Sequence, residues 1–204
     1  MATVRRTQTE RTREARTRLL GATIDVLVNR GYAGLTTKEV ALRAGFSSGA
    51  LVHHYGTKAE LVIAATDAVY ADATKHGEEL GKTALAKRDP LAGFIRDCLA
   101  VYFGRPFFPA LEVLVLARTE PTLMAQIEPI MRKYRDDTNR RWLGAFHRRG
   151  LSRPDAEQVL TLTLNLVRGM SINSLWQHDV GHARAGLREW RRIARRQWPA
   201  LAGK

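Results

Sequence analysis

The stretch from residue 36 to residue 61, TTKEVALRAGFSSGALVHHYGTKAEL, constrains the fold more than any other part of the chain. Thr36-Thr37-Lys38-Glu39 carries the T-x-x-E pattern of a capping box, in which hydroxyl and carboxylate satisfy orphan amide donors at a helix start. Gly45 suits the left-handed position just past a helix end, and Ser47 is a preferred N-cap, so Gly45-Phe46-Ser47 reads as a tight turn between two short helices. Thr57-Lys58-Ala59-Glu60 repeats the capping pattern and opens a longer helix with Leu61, Ala65, Ala68 and Val69 at helical spacing. Two capped starts therefore bracket one short helix, the layout of a helix-turn-helix.

Within the short second helix, Leu51 and Tyr55 lie four apart on one face and are assigned to the core, which leaves Ser48, Gly49, Val52 and His53 pointing outward. Upstream, Leu20, Ile24, Leu27 and Val28 recur at i, i+4, i+7 and i+8. They predict an amphipathic helix over 12–30, ended by Gly31, that covers the apolar side of the motif.

This unit resembles the DNA-binding domain of the TetR family of bacterial transcriptional regulators. Gly31-Tyr32, Leu35-Thr36-Thr37, Val40-Ala41, Arg43-Ala44-Gly45, Ser47, Leu51, His54-Tyr55, Lys58 and Leu61 fall where that family's pattern places them. The resemblance covers the first third of the chain and is far more specific than a lone glycine motif. It implies that Thr36, Thr37, Lys38, His54 and Lys58 hold DNA phosphates and set register, with helix starts offering further amides to anions. A threonine N-cap at 36 is also required by folding alone, whereas no packing need explains Lys58. One departure is Val52, at a position where many members carry a tyrosine whose hydroxyl can hold a phosphate.

A helix of this length fits the major groove with its N-terminal residues toward base edges, which makes Ser48, Gly49, Ala50 and His53 the base-edge candidates. Ser48 and His53 can donate or accept hydrogen bonds, and Ala50 can offer a methyl to thymine, so direct readout per base pair is modest and backbone shape contributes. His53 and His54 are poor candidates for a shared metal, since neighbouring helix positions diverge by about 100°. His178 and His182 have i, i+4 spacing, but Gly181 between them argues for a break and no carboxylate or cysteine set completes a site. No metal or other cofactor is expected.

The formal charge of +13 is distributed unevenly: residues 1–60 hold ten Lys/Arg against five Asp/Glu, residues 61–181 sixteen against fourteen, and residues 182–204 seven against one. Arg5, Arg6, Arg11, Arg13, Arg16 and Arg18 precede or begin the first helix as a basic arm that could touch phosphates or enter a minor groove. A solvated tail is the plainer reading of any one of them. The longest apolar runs, such as Leu111 to Ala117, are interrupted by charge and too short to span a bilayer, and no signal segment opens the chain, so the expectation is a cytoplasmic protein without membrane contact. Cys98, the single cysteine, sits among Ile95, Leu99 and Val101 and reads as a buried structural thiol rather than a redox sensor.

Beyond residue 82 the pattern stays helical, over 91–104, 107–119, 121–149, 154–178 and 183–198, with Pro90, Pro106, Pro121 and Pro154 as punctuation. The fold expected is all-α with about nine helices: a DNA-binding domain over 1–56 and a ligand-sensing and dimerising helical bundle over 57–204. The latter assignment is implied by the resemblance, because this part has no specific motif. Residues 159–176 are apolar on most faces and need burial between neighbours, a second subunit among them. The last segment has Leu187, Trp190, Ala194 and Trp198 on one stripe and arginines elsewhere, as for a helix docked on the bundle with a basic back; a membrane-surface role is the sharper alternative. A sensor pocket would draw on Phe94, Tyr102, Phe103, Phe107, Phe108, Met124, Trp142 and Met170, most of which also serve as plain core. Asn165 and Arg168 interrupt the most apolar helix and, if buried, need polar partners, either a ligand carboxylate or another side chain.

The resemblance implies a twofold dimer on an inverted-repeat operator, and the function expected with it is that of a repressor released when a small-molecule effector favours another separation of the two reading heads. An enzyme is disfavoured, because no Ser/His/Asp order, phosphate loop, metal-spaced cluster or motif-placed carboxylate pair is found. A nonspecific or architectural nucleic-acid binder without an inducer is the better rival, and it would discriminate little between operator and competitor DNA.

Overall fold

The computed structural model describes residues 7–177 and 180–202, the side chains of Val180 and His182 excepted. Arg5, Arg6 and His178, and the side chain of His182, lie outside the described residues. Among these residues every regular element is helical: α1 (Gln8–Arg30), α2 (Thr37–Ala44), α3 (Ser48–His54), α4 (Lys58–Lys82), α5 (Ala84–Arg88), α6 (Pro90–Tyr102), α7 (Phe107–Ala117), α8 (Pro121–Arg148), α9 (Arg153–Asn173) and α10 (Val180–Gln197), followed by a 3-10 turn at Pro199–Leu201.

Capping explains most of these boundaries. Thr7 accepts the Glu10 amide while the Glu10 carboxylate accepts the Thr7 amide, a complete capping box that starts α1 four residues earlier than apolar periodicity predicts. Arg11, Arg13, Arg16 and Arg18 are consequently helical and do not belong to an arm that precedes the helix. Asp89 accepts the Ala92 amide at the head of α6, and Pro90 occupies its first turn, where a missing N–H costs nothing. The five-residue α5, capped by Thr83, lies outside the predicted set, and α9 ends at Asn173 rather than running on to 178.

The chain packs as two units, one of residues 1–70 with 105–131, the other of residues 71–104 with 132–204. In the first, a single core gathers Leu19, Val26, Leu35, Val40, Leu51, Tyr55, Leu61 and Val62 from the N-terminal helices with Val113 and Ala117 of α7 and Leu123 and Ile127 of α8. Each fully buried leucine among them contributes about 1.5–3 kcal/mol relative to exposure.

The second unit centres on aromatic packing. Phe94 lies 5.5 Å from the Trp142 ring and 6.1 Å, edge to face, from Phe146, and all three are buried. Gly93 belongs to this packing, since a Cβ there would stand 2.9 Å from both Ala86 and the Trp142 ring. The carboxylate of Asp97, also buried, accepts the Trp142 indole N–H at 2.7 Å and lies 3.8 Å from Arg141. Burial raises its pKa above the ordinary aspartate value, against the opposing influence of Trp142, Arg141 and His76. On the outer helix, Arg191 and Arg195 both donate to the half-buried Asp89, and Trp190 and Trp198 dock their indole N–H groups on Thr163 and Asp155. Packing of α10 on its own unit is thus the reading realised for its apolar stripe.

Candidate nucleic-acid interface

The reading element is built by three local devices. Thr36 accepts the Glu39 amide at 3.1 Å, starting α2, while the Glu39 carboxylate turns to Arg30 and Arg43 at 3.5 and 3.8 Å. Gly45 ends α2 in the left-handed conformation, at φ 73°, and its amide and that of Phe46 return to the Leu42 and Ala41 carbonyls. Ser47 then accepts the Ala50 amide at 3.2 Å and opens α3.

This arrangement presents α3 as the spacing of Leu51 and Tyr55 requires. Those two are buried, whereas Ser48, Gly49, Val52 and His53 face solvent and Ala50 and His54 are half-exposed. Val52 is 54% exposed, and Leu42 on α2 is 75% exposed, so two apolar side chains stand on this otherwise polar surface. The rings of His53 and His54 meet edge to face with centroids 5.6 Å apart.

Of the residues assigned to phosphates, Thr36 and Lys38 are exposed and Thr37 is half-exposed at the start of α2, with His54 at the end of α3. Lys58 differs from its sequence reading, because packing does account for it. Its ammonium donates to the Tyr32 carbonyl at 2.8 Å and sits 3.9 Å from the centroid of the Tyr32 ring. Partial burial lowers the lysine pKa, with Glu112 opposing. Glu112 of α7 in turn accepts the Tyr32 amide at 2.9 Å, so both backbone polar groups of that turn residue are held. Nothing in local periodicity announces these ties, which link positions 26 and 80 residues apart.

The sensor candidates are dispersed. Tyr102 and Arg168 come together: the guanidinium donates to the phenol at 3.1 Å and lies 5.2 Å from the ring centroid. Ser171 donates to the Tyr102 carbonyl beside them. Phe94 and Trp142 form the aromatic core of the second unit, and Met170 is half-buried within it. Phe107 and Met124 belong to the first unit, Phe107 with its ring tilted against Phe108 at a centroid distance of 5.2 Å and Met124 against that unit's core. Phe103 and Asn165 are exposed, so Asn165 is not the buried polar group that its apolar neighbours suggest. Cys98 is buried, and burial pushes its thiol pKa well above the usual value.

A capped, exposed second helix after a left-handed glycine turn defines a DNA-binding helix-turn-helix regulator. The model of the bacterial regulatory proteins of the tetR family matches residues 19–65. The chain is 37% identical over 183 residues to the HTH-type transcriptional regulator CymR of Pseudomonas putida, spanning 88% of each protein. The chain therefore belongs to the TetR family of bacterial transcription regulators. Its fold is similar to that of a transcriptional regulator from Rhodococcus (TM-score 0.73, 22% identity, 89% of this chain and 96% of that one). It is also similar to a regulator from Saccharomonospora viridis solved in complex with choline (TM-score 0.68, 21% identity, 87% and 95%). The family is one of transcription regulators rather than enzymes, and no single helix among the described residues is long and apolar enough to cross a membrane.

Proposed function

We propose that this regulator acts in the cytoplasm as a homodimeric repressor, binding an inverted-repeat operator through α3 and released by a small molecule held among the helices of its C-terminal part. Residues 1–56 are assigned to reading and residues 57–204 to sensing and dimerisation. The observation that carries the reading is the outward face of α3, where Ser48, Gly49 and His53 are free of core packing on a helix capped at its N-terminus. Thr36, Thr37, Lys38 and His54 flank it as phosphate contacts, and Lys58 joins them with whatever of its ammonium is left over from Tyr32.

Dimerisation is supported by an unpartnered apolar face on α9 and the turn that follows, where Leu162 is 49% and Trp176 61% exposed, with Asn165 and Asn173 between them. A twofold pair would bury this face and set two reading heads on the two halves of a symmetric site. The small-molecule reading is supported by the choline complex of the Saccharomonospora protein and, within this chain, by the Arg168–Tyr102 pair, a cationic fork beside a buried phenol.

Selection of bound fragments from genomic DNA, followed by footprinting and titration against random duplex at fixed salt, tests the assignment. A protected inverted repeat bound at least about a thousandfold more tightly than random duplex is expected. Equal affinity for both would leave a nonspecific binder. Arg168→Ala is expected to preserve operator binding and abolish release by the effector.

A further inference from the structure

The charge pattern groups Arg16 and Arg18 with a DNA-facing arm, yet both are engaged within the protein. Arg18 reaches from α1 to the far end of α2, donating through Nη2 to the Ala44 carbonyl at 2.7 Å. That carbonyl is among the last of α2, where the helix lacks internal donors and a cation is favoured. The same guanidinium lies 4.8 Å from the centroid of the Phe46 ring, within cation–π range. Between the two contacts sits Gly45, where a Cβ would stand 2.7 Å from Arg18 Nη2, so the turn admits the arginine only because position 45 has no side chain. One residue thus spans the end of α2 and the turn residue Phe46 that leads into α3.

Arg16 holds the other end. Its guanidinium lies 5.5 Å from the centroid of the Tyr55 ring, and Tyr55 is the residue that closes α3. Leu51 and the C-cap residue Tyr55 anchor α3 in the core, but a seven-residue helix with one buried side chain of its own has little to fix its tilt.

We infer that Arg16 and Arg18 are positioning residues for DNA reading: they brace the two ends of the recognition helix from α1 and set the angle at which it enters the groove, instead of serving as phosphate contacts. This rests on the assignment of α3 as the reading helix. The physical consequence is specific. A phosphate contact contributes equally on any sequence and releases a counterion, whereas helix orientation matters only where base edges must be met.

The test compares the wild-type protein with the R18A, R18K and R16A variants on a duplex selected from genomic DNA and on a random duplex of equal length, each across a salt series. Measurements are made well below the melting temperature of each variant, with helicity confirmed by circular dichroism. R18A is expected to weaken binding to the selected duplex about tenfold while its affinity for random duplex and its salt slope stay at the wild-type values. R16A should change in the same direction. R18K keeps the charge and the possible bond to Ala44 but lacks the flat stacking group, so its loss is intermediate, and it serves as the readout if R18A does not fold. R18A and F46L should be non-additive in affinity for the selected duplex.

Equal losses on both duplexes, with a slope shallower by about one, would identify phosphate contacts and overturn the inference. So would wild-type affinity in folded R18A or R18K, or strict additivity with F46L. If the wild-type protein selects no duplex at all, the reading-helix assignment itself fails.

Discussion

The contrast between Asp97 and Lys58 shows what burial does to a charge. Asp97 is raised by desolvation, so the folded protein keeps its proton to higher pH than the unfolded chain does. Its contribution to stability is complete below the ordinary aspartate value near 3.9 and is lost as pH rises through the elevated folded value. Subtracting the urea-unfolding free energies of Asp97→Asn from those of the wild type, point by point from pH 3 to pH 7, should reveal a decline with increasing pH. A flat difference would mean that Trp142, Arg141 and His76 fully compensate the burial. Cys98 makes a simpler case. With its thiol enclosed and its pKa high, it should resist Ellman's reagent in the native protein and react promptly in denaturant. Lys58 is tied to Tyr32 on both its carbonyl and its ring, so Lys58→Ala should cost about 1–3 kcal/mol of stability, read by thermal or urea unfolding, besides any loss of DNA affinity.

At the level of single helices, the start of α3 depends on Ser47. Removal of its hydroxyl in Ser47→Ala should cost about 1 kcal/mol in unfolding experiments. Ser47→Asp should restore that stability, because aspartate caps as well as serine, yet bind DNA more weakly, because it brings a negative charge to the phosphates. A variant that regains both, measured by unfolding and by DNA titration, would place this helix start away from the duplex. The helices themselves were largely legible from caps and punctuation: α2, α3 and the head of α4 follow from Thr36, Gly45, Ser47 and Thr57. The start of α1 was also written, in Thr7 and Glu10, but apolar periodicity sets in only further along and draws the boundary inward. The five residues of α5 are too few for any period to register. What the pattern could not carry was side-chain reach across distant chain positions: that Arg18 turns back to Ala44, Lys58 to Tyr32 and Glu112 to the same turn depends on tertiary placement, to which spacing is blind. The exposure of Asn165 is hidden from the pattern for the converse reason, since its apolar neighbours on α9 do not all face inward in one subunit.

For the molecule as a whole, the apolar face of α9 bears on assembly. Leu162→Glu places a charge on the exposed stripe without entering the core, so the variant should remain folded and run as a monomer in light scattering, with operator affinity falling steeply because the two half-sites are no longer linked. A variant that remains dimeric would move the interface elsewhere. The core of the first packing unit has its own bearing on how such a protein can be altered. Val113, Ala117, Leu123 and Ile127 sit in the same cluster as Val26, Val40 and Leu51, and Glu112 fastens the turn at Tyr32. A chimera spliced only after residue 56 would inherit a reading head stripped of Leu61, Val62, Val113, Ala117, Leu123 and Ile127 from its inner lining. Swapping specificity between relatives therefore calls for transplanting the stretch from 105 to 131 together with the amino-terminal segment, or for exchanging surface letters on α3 alone and leaving the borrowed scaffold intact.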